Sequence, residues 1–137
     1  MIDRKRHLDT FLEYVRIDSE SLNERAMVDR VCADLRALGA EVWCDDAGSA
    51  IGSNGNNVYA RLKGTLEAEP MLFSAHLDTV KPGNGVKPFV EDGVVHSDGD
   101  TILNDDNKSG VASVIEALRT VQEKKLPHRT EIGRAHV

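Results

Sequence analysis

The sequence of 137 residues predicts an α/β fold in three layers, with helices covering a partly parallel sheet. Two observations predict this class. Apolar residues recur at helical spacing near the start and near the end of the chain, and short β-prone runs separate these segments. Helices and strands in this order are typical of three-layer α/β domains.

Three segments have the apolar spacing of amphipathic helices. Gly39 follows the second segment, where a left-handed C-terminal cap is expected. Asp18–Ser21, between the first two segments, carries the capping residues of a helix start. The apolar positions are Leu8, Phe11, Leu12 and Val15 in the first segment, Val28, Val31, Cys32, Leu35 and Leu38 in the second, and Val111, Val114, Ile115, Leu118 and Val121 in the third.

The strands are predicted from shorter runs. Met71–Ala75 is continuously apolar, which predicts a central strand covered on both faces. Val58–Leu62 alternates apolar and polar residues, as a half-buried strand does. The segment 47–57 is rich in Gly and Asn and predicts a loop. The other expected strands are Glu41–Cys44 and a small hairpin formed by 89–90 and 94–95.

The composition is that of a globular protein and excludes several classes of function. Seventeen Lys and Arg against 23 Asp and Glu give a net charge of −6. An acidic chain lacks the positive surface that nucleic acids or anionic membranes require, so neither is expected as a partner. No apolar run approaches the ~20 residues of a membrane span, and the first residues are unlike a signal peptide. We therefore expect a cytoplasmic protein in which Cys32 and Cys44 are free, buried thiols.

The last seven residues do not fit this pattern. Residues 131–137 read Glu-Ile-Gly-Arg-Ala-His-Val, have no apolar periodicity, and are expected to lack a cap or a strand partner. Residues 132–137 are similar to one reading frame of a common sequencing adapter, so a non-native tail is predicted at 131–137. The alternative is a natural, unstructured end. On the first interpretation, residues 1–130 are the N-terminal part of a longer domain, and His136 is excluded from any metal site.

Two polar segments carry residues that could bind a metal. His76 and Asp78 follow the apolar run and share one face at the carboxyl end of that strand, where open α/β sheets bind ligands. An imidazole suits zinc, and a nearby carboxylate can hold the ring through its other nitrogen. Taken alone, such a pair is more typical of a hydrogen-bonded surface feature.

The second segment precedes the third helix. Asp100, Asp105 and Asp106 are electrostatically costly at this density unless a cation offsets them. The alternative is a solvated turn in which Asn107 caps the helix, a role that is compatible with metal binding. Gly110 lowers helix propensity by about 1 kcal/mol relative to Ala, which indicates close packing against a folded loop.

Together these motifs resemble the peptidase T-like branch of the co-catalytic zinc peptidases, the family that also holds acetylornithine deacetylases and glutamate carboxypeptidases. The resemblance covers residues 3–130 and is strongest at 76–83, 97–103 and 106–111. It implies that residues 1–130 form the N-terminal part of an α/β/α zinc-exopeptidase catalytic domain, truncated and without its lid domain. Residues 106–110 are also similar to the related aminopeptidase Y-like family, whereas the run at 79–83 favours peptidase T.

The resemblance implies a role for each site residue. His76 would be a terminal ligand of one metal, Asp106 would bridge two metals, and Asp78 would orient His76 in catalysis. Two residues are candidates for the bridging ligand. The Lys108-x-Gly110 spacing favours Asp106, and Asp105 is the alternative. The resemblance also implies a cis peptide after the bridging Asp and a cofactor of two Zn²⁺, although Mn²⁺ or Co²⁺ would suit the same ligands.

The implied reaction is metal-dependent hydrolysis of a peptide bond, with release of N-terminal residues from tripeptides. The family's general base and one further ligand form a Glu-Glu pair, and this chain contains none. We therefore expect this chain alone to be inactive and to bind zinc weakly. Two alternatives stay open, a deacylase of the same family and a non-catalytic α/β binding module. The expected partner is a small peptide, and a homodimer through the lid domain is compatible with the resemblance.

Overall fold

The computed structural model describes all 137 residues. The helices are α1 (Arg4–Arg16), α2 (Arg25–Ala37), α3 (Ala47–Ile51) and α4 (Asp105–Glu123). The strands are β1 (Glu41–Cys44), β2 (Val58–Leu62), β3 (Met71–His76), β4 (Phe89–Glu91), β5 (Val94–His96) and β6 (Glu131–His136). Every helix and strand predicted from apolar spacing is present, and the α/β class is confirmed. The short helix α3, within the predicted loop, and the strand β6 are additional.

The main sheet has four strands in the order β1-β2-β6-β3. β6 runs parallel to β3 and antiparallel to β2, which is also antiparallel to β1. This order places β3 at an edge of the sheet, so the prediction of a central strand at 71–75 is wrong. The prediction that both faces of this strand are covered is also wrong, because Leu72 is 65% exposed. No strand of this chain pairs with the outer edge of β3.

The segment that was expected to lack a strand partner forms β6, so that expectation is wrong. Residues 131–136 pair with both β2 and β3. Gly133 and Ala135 line a small cavity against α2 and α4, at positions where a buried strand commonly carries larger side chains. Backbone pairing with two flanking strands, and not an apolar pattern, therefore defines β6. The non-native origin of 131–137 stays a prediction.

The three long helices lie on one face of the sheet. α2 packs on β1 and β2, α4 packs on β3, and α1 packs on α4. On the opposite face, Trp43 and Tyr59 stack with their ring centroids 5.8 Å apart. The long helices therefore form one of the two helical layers of the predicted fold. None of the helices is both long and apolar enough to cross a membrane. The core between sheet and helices contains Tyr14, Met27, Val28, Val31, Cys32, Leu35, Ala40, Val58, Ala60, Leu62, Leu77, Val111, Ala112, Ile115 and Leu118.

Several local predictions can be compared with the structure. Gly39 has φ +81° after α2, which confirms the left-handed cap. Asp18–Ser21 does not begin a helix, because α2 begins at Arg25 and this segment instead bonds to the loop after β3. Asp106 and Asn107 have non-helical backbone angles inside α4, so the regular helix begins after Asn107, which is the position predicted for the cap. Asn104, at the start of the whole segment, makes no side-chain cap hydrogen bond. Cys44 is exposed, so the expectation of two buried thiols holds only for Cys32.

The structure explains why a glycine stands at position 110. A Cβ atom there would lie 2.1 Å from Asn107 Oδ1, far inside van der Waals contact. We therefore expect Gly110→Ala to destabilise the chain by about 1–3 kcal/mol, as overpacking commonly does, although alanine favours a helix. The free energy of unfolding, measured by urea titration, tests this.

The matched control is Ser109→Ala, because Ser109 is exposed on the same helix turn. It should change the free energy of unfolding by less than about 0.5 kcal/mol. In an Asn107→Ala background the clash is removed, and Gly110→Ala should then stabilise the chain. A destabilisation that persists in that background would show that contact with Asn107 is not the cause.

Candidate metal centre

The three predicted site residues meet at the carboxyl end of β3. His76 ends β3, Asp78 lies in the loop that follows, and Asp106 lies at the start of α4. His76 Nε2 is 3.0 Å from Asp106 Oδ1. His76 Nδ1 is 2.9 Å from the main-chain oxygen of Asp78 and 3.1 Å from Asp78 Oδ1. The structure thus brings together side chains that are up to 30 residues apart in sequence.

Asp78 orients the imidazole ring of His76. Both oxygen atoms that contact Nδ1 belong to Asp78, so this nitrogen donates a hydrogen bond and Nε2 is directed at Asp106. A carboxylate that holds one ring nitrogen while the other faces the ligand position is a common arrangement at metal sites. Asp78 therefore contacts His76 in the way that the resemblance implies.

The protonation of His76 reflects these neighbours. Partial burial lowers the pKa of His76, but hydrogen bonds with Asp106 and with the backbone of Asp78, together with both carboxylate charges, raise it by more. The net pKa is above the ordinary value for histidine. Two acceptors on opposite sides of the ring therefore stabilise its charged form relative to that of an isolated histidine.

The two candidate bridging residues differ in their contact with His76, and the identity of the bridge stays a prediction. Asp106 contacts His76, and Asp105 makes no hydrogen bond or ion pair with it. The Asp106 side chain is 89% exposed, so its second oxygen is free to reach another ligand. The peptide between Asp106 and Asn107 is cis, as the resemblance implies.

Ser21 is a neighbour of the site that the sequence did not reveal. Its hydroxyl donates a hydrogen bond of 2.7 Å to Asp78 Oδ2, while Asp78 Oδ1 contacts His76. The backbone of this segment is held as well, because Thr79 N donates to Ser19 O and Ser21 N donates to Thr79 O. The polar residues at 18–21 were visible in the sequence, but they were interpreted as a helix start.

Lys108 anchors the other side of the site. The side chain is fully buried, and its ammonium donates a hydrogen bond of 2.5 Å to the main-chain oxygen of Ile17. Burial lowers the pKa of Lys108 to about 8, against an opposing contribution from Asp18. Lys108 therefore connects the start of α4 to the end of α1.

The donors present fit one part of a metal site. An imidazole nitrogen and a carboxylate oxygen that face each other are suitable zinc ligands, but catalytic zinc sites have three protein ligands. The structure contains no group of three or more His, Cys, Asp or Glu side chains that could hold a metal ion. The ring of His136 lies near His76, with the centroids 6.1 Å apart. The prediction of a non-native tail at 131–137 would exclude His136 from the site, and that prediction is not tested by the structure.

The pKa of His76 provides a test of this geometry. We expect Asp106→Asn to lower the pKa of His76 towards its ordinary value, because the charged acceptor is lost. NMR titration of the His76 ring in a buffer with chelator measures this. Because the native pKa is raised, His76 stabilises the fold below its unfolded pKa, and this contribution is lost as the pH rises through the native pKa. Asp105→Asn is the matched control and should leave the titration of His76 unchanged; an equal shift in both variants would contradict the assignment.

Comparison with known proteins assigns this fold and site to a class. Residues 57–132 match the sequence model of peptidase family M28, which covers β2, β3, the candidate metal centre and the start of β6. His76, Asp78 and Asp106 all lie within the matched range. The chain belongs to peptidase family M28.

Individual relatives agree with this assignment. A tripeptidase of Staphylococcus aureus is 38% identical, with a TM-score of 0.96 over 98% of this chain and 36% of that protein. The aminopeptidase PepT of Bacillus cereus is also 38% identical, with a TM-score of 0.95 and the same coverage. An uncharacterized protein of Bacillus subtilis, YqjE, is 42% identical over 130 residues, which are 95% of this chain and 35% of that protein. The resemblance to peptidase T is therefore confirmed, and the chain spans about a third of the length of these relatives.

Proposed function

We propose that this chain is part of the catalytic domain of a metal-dependent exopeptidase that releases N-terminal residues from tripeptides. The observation that carries the proposal is the contact between His76 Nε2 and Asp106 Oδ1 at 3.0 Å. This contact lies at the carboxyl end of a strand, where separate segments of an α/β sheet converge on a ligand. The similarity to a tripeptidase and to an aminopeptidase supports the substrate class.

In this proposal each residue of the site has a separate role. His76 Nε2 would hold one metal, and Asp106 would be a ligand of both, since one of its oxygens faces His76 and its side chain is largely exposed. Asp78 holds the imidazole through Nδ1 and keeps Nε2 directed at the site. Ser21 holds the other oxygen of Asp78, so the carboxylate is fixed at both ends. Two zinc ions bound there would supply a Lewis acid and an activated water for hydrolysis.

The proposal predicts weak zinc binding by the isolated chain. His76 and Asp106 are two ligands, fewer than the three of a catalytic zinc site. Titration calorimetry of zinc into the chain should therefore show no sub-micromolar binding, and His76→Ala should make little difference. Sub-micromolar binding that is lost in His76→Ala would mean that the chain holds more of the site than is proposed.

Activity is tested in a chimera in which residues 1–130 of this chain replace the matching segment of the Staphylococcus aureus tripeptidase. The similarity in fold makes the exchange reasonable, and the isolated chain should be inactive because it has no Glu-Glu pair. The chimera should hydrolyse tripeptides and lose this activity with chelator. Hydrolysis of acyl-amino acids alone would favour a deacylase. A chimera that is folded by circular dichroism and binds zinc, yet hydrolyses neither, would favour a non-catalytic module.

A further inference from the structure

The two cysteines of this chain form a pair that no part of the proposed function uses. Cys32 lies on α2 and Cys44 ends β1, and their Sγ atoms are 3.8 Å apart. Cys32 is buried and Cys44 is exposed. The pair therefore has one sulfur within reach of a solute and a second sulfur directly behind it.

The surroundings of the pair favour oxidation over metal binding. The two sulfurs lie in an open cleft of about 490 Å³ that is also lined by Arg25 and Arg36. The nearby carboxylate, Asp29, is already paired with Arg25. Two thiols, with the nearby carboxylate already paired, supply too few ligands for a tetrahedral zinc site, which takes four.

We propose that Cys44 and Cys32 form a peroxide-oxidisable thiol pair, in which Cys44 reacts first and Cys32 resolves it as an intramolecular disulfide. In the first step, the Cys44 thiolate attacks one peroxide oxygen, the O–O bond breaks, and Cys44 becomes a sulfenic acid while hydroxide leaves and takes up a proton. In the second step, the sulfur of Cys32 attacks the sulfur of Cys44, and the hydroxyl leaves as water. Overall, two thiols lose two electrons and two protons, and hydrogen peroxide is reduced to two molecules of water.

The geometry sets the order of these steps. Burial, followed by the neighbouring Cys44, raises the pKa of the Cys32 thiol to about 11, against the opposing charge of Arg36. Cys32 is therefore a poor first nucleophile, while Cys44 is the sulfur that solvent reaches. The sulfurs are 3.8 Å apart and must approach by less than 2 Å to reach the ~2.05 Å length of a disulfide bond.

The pair is remote from the candidate metal centre. β1 and β3 are the two opposite edges of the sheet, with β2 and β6 between them. Oxidation would therefore join α2 to β1 without involving His76 or Asp106. Because a disulfide restricts the unfolded chain, the oxidised protein should also melt at a higher temperature.

The full chain is reduced, freed of reductant and treated with a small excess of hydrogen peroxide, and its intact mass and tryptic peptides are then measured. We expect a monomer lighter by about 2 Da, the mass of two hydrogens. The peptides 31–36 and 37–61, which contain one cysteine each, should be linked, and dithiothreitol should restore them. In Cys32→Ser, Cys44 should instead be trapped as a sulfenic acid by dimedone. In Cys44→Ser, Cys32 should stay reduced under the same treatment.

Three results would overturn the proposal. The first is conversion of Cys44 to a sulfinic acid while Cys32 stays a thiol in the unmodified chain. The second is a disulfide between two chains as the main product, and the third is a chain in which neither thiol reacts. Because the decisive measurement uses the chain without substitutions, a variant that fails to fold does not affect the outcome.

Discussion

In the chimera with the Staphylococcus aureus tripeptidase, Asp106→Ala should reduce tripeptide hydrolysis to the rate measured with chelator. This expectation rests on the proposed function. Asp106 is the carboxylate that faces His76 Nε2, and its exposed side chain leaves the second oxygen able to serve another metal. Removing it would take a ligand from both metals at once. Asp78→Ala should lower kcat/KM less, by about 10–100-fold, which is typical when a residue that orients a metal ligand is lost.

The matched control for Asp106 is Asp105→Ala. Asp105 is the neighbouring aspartate and makes no hydrogen bond or ion pair with His76, so its loss should leave kcat/KM within about twofold of the unsubstituted chimera. Zinc content, measured on each purified variant, separates loss of ligand from loss of fold. If Asp105→Ala abolished activity and Asp106→Ala did not, Asp105 would be the bridging residue and the geometry described here would not be that of the active enzyme.

The amphipathic helices were predictable because the apolar residues of each helix lie on one face, which packs on the sheet in α2 and α4 and on α4 in α1. The spacing at 8–15, 28–38 and 111–121 identified α1, α2 and α4, and the buried residues of each helix lie in these segments, apart from Met27 and Lys108. His76 and Asp78 were predicted to share one face of a strand, but β3 ends at His76 and Asp78 lies in the loop that follows. The two-residue spacing therefore predicted that they lie close together, and not that Asp78 is on the strand. The periodicity of apolar residues shows which side of a helix or strand is buried, and no further information was needed to predict these helices.

Features that depend on contacts between distant segments could not be read from local pattern. The edge position of β3 follows from the insertion of β6 between β2 and β3, and the sequence of β6 has no apolar repeat. The bond from Ser21 to Asp78 joins residues 57 positions apart. The contact between Cys32 and Cys44 depends on how α2 packs against β1. In each case, the sequence around one contacting residue or strand does not indicate which distant residue or strand it contacts.

The largest loss of stability is expected for Arg6→Ala. Glu116 is fully buried on α4, and it accepts hydrogen bonds of 2.7 and 2.8 Å from Arg6 Nε and Nη2 on α1. Arg6 also pairs with Glu123. Without Arg6, the buried carboxylate keeps only the Asp3 amide and the Thr120 hydroxyl as donors. Breaking a buried ion pair from one side costs about 3–5 kcal/mol, so the free energy of unfolding in urea at pH 7 should fall by that amount.

The pH dependence identifies the cause of this loss. The hydrogen bond from Arg6 lowers the pKa of Glu116 against the opposing effect of burial, so the carboxylate stabilises the unsubstituted chain above its unfolded pKa of about 4.3. That contribution is lost as the pH falls through the native pKa. In Arg6→Ala, burial still raises the pKa of Glu116, but the opposing hydrogen bond is gone. The difference in the free energy of unfolding between Arg6→Ala and the unsubstituted chain should therefore become smaller towards pH 4.

The control Lys5→Ala breaks an exposed ion pair with Asp9 on the same helix. It should change the free energy of unfolding by less than about 1 kcal/mol at pH 7 and at pH 4. A loss in Arg6→Ala that is independent of pH would mean that packing of the Arg6 side chain, and not the charge of Glu116, holds α1 against α4.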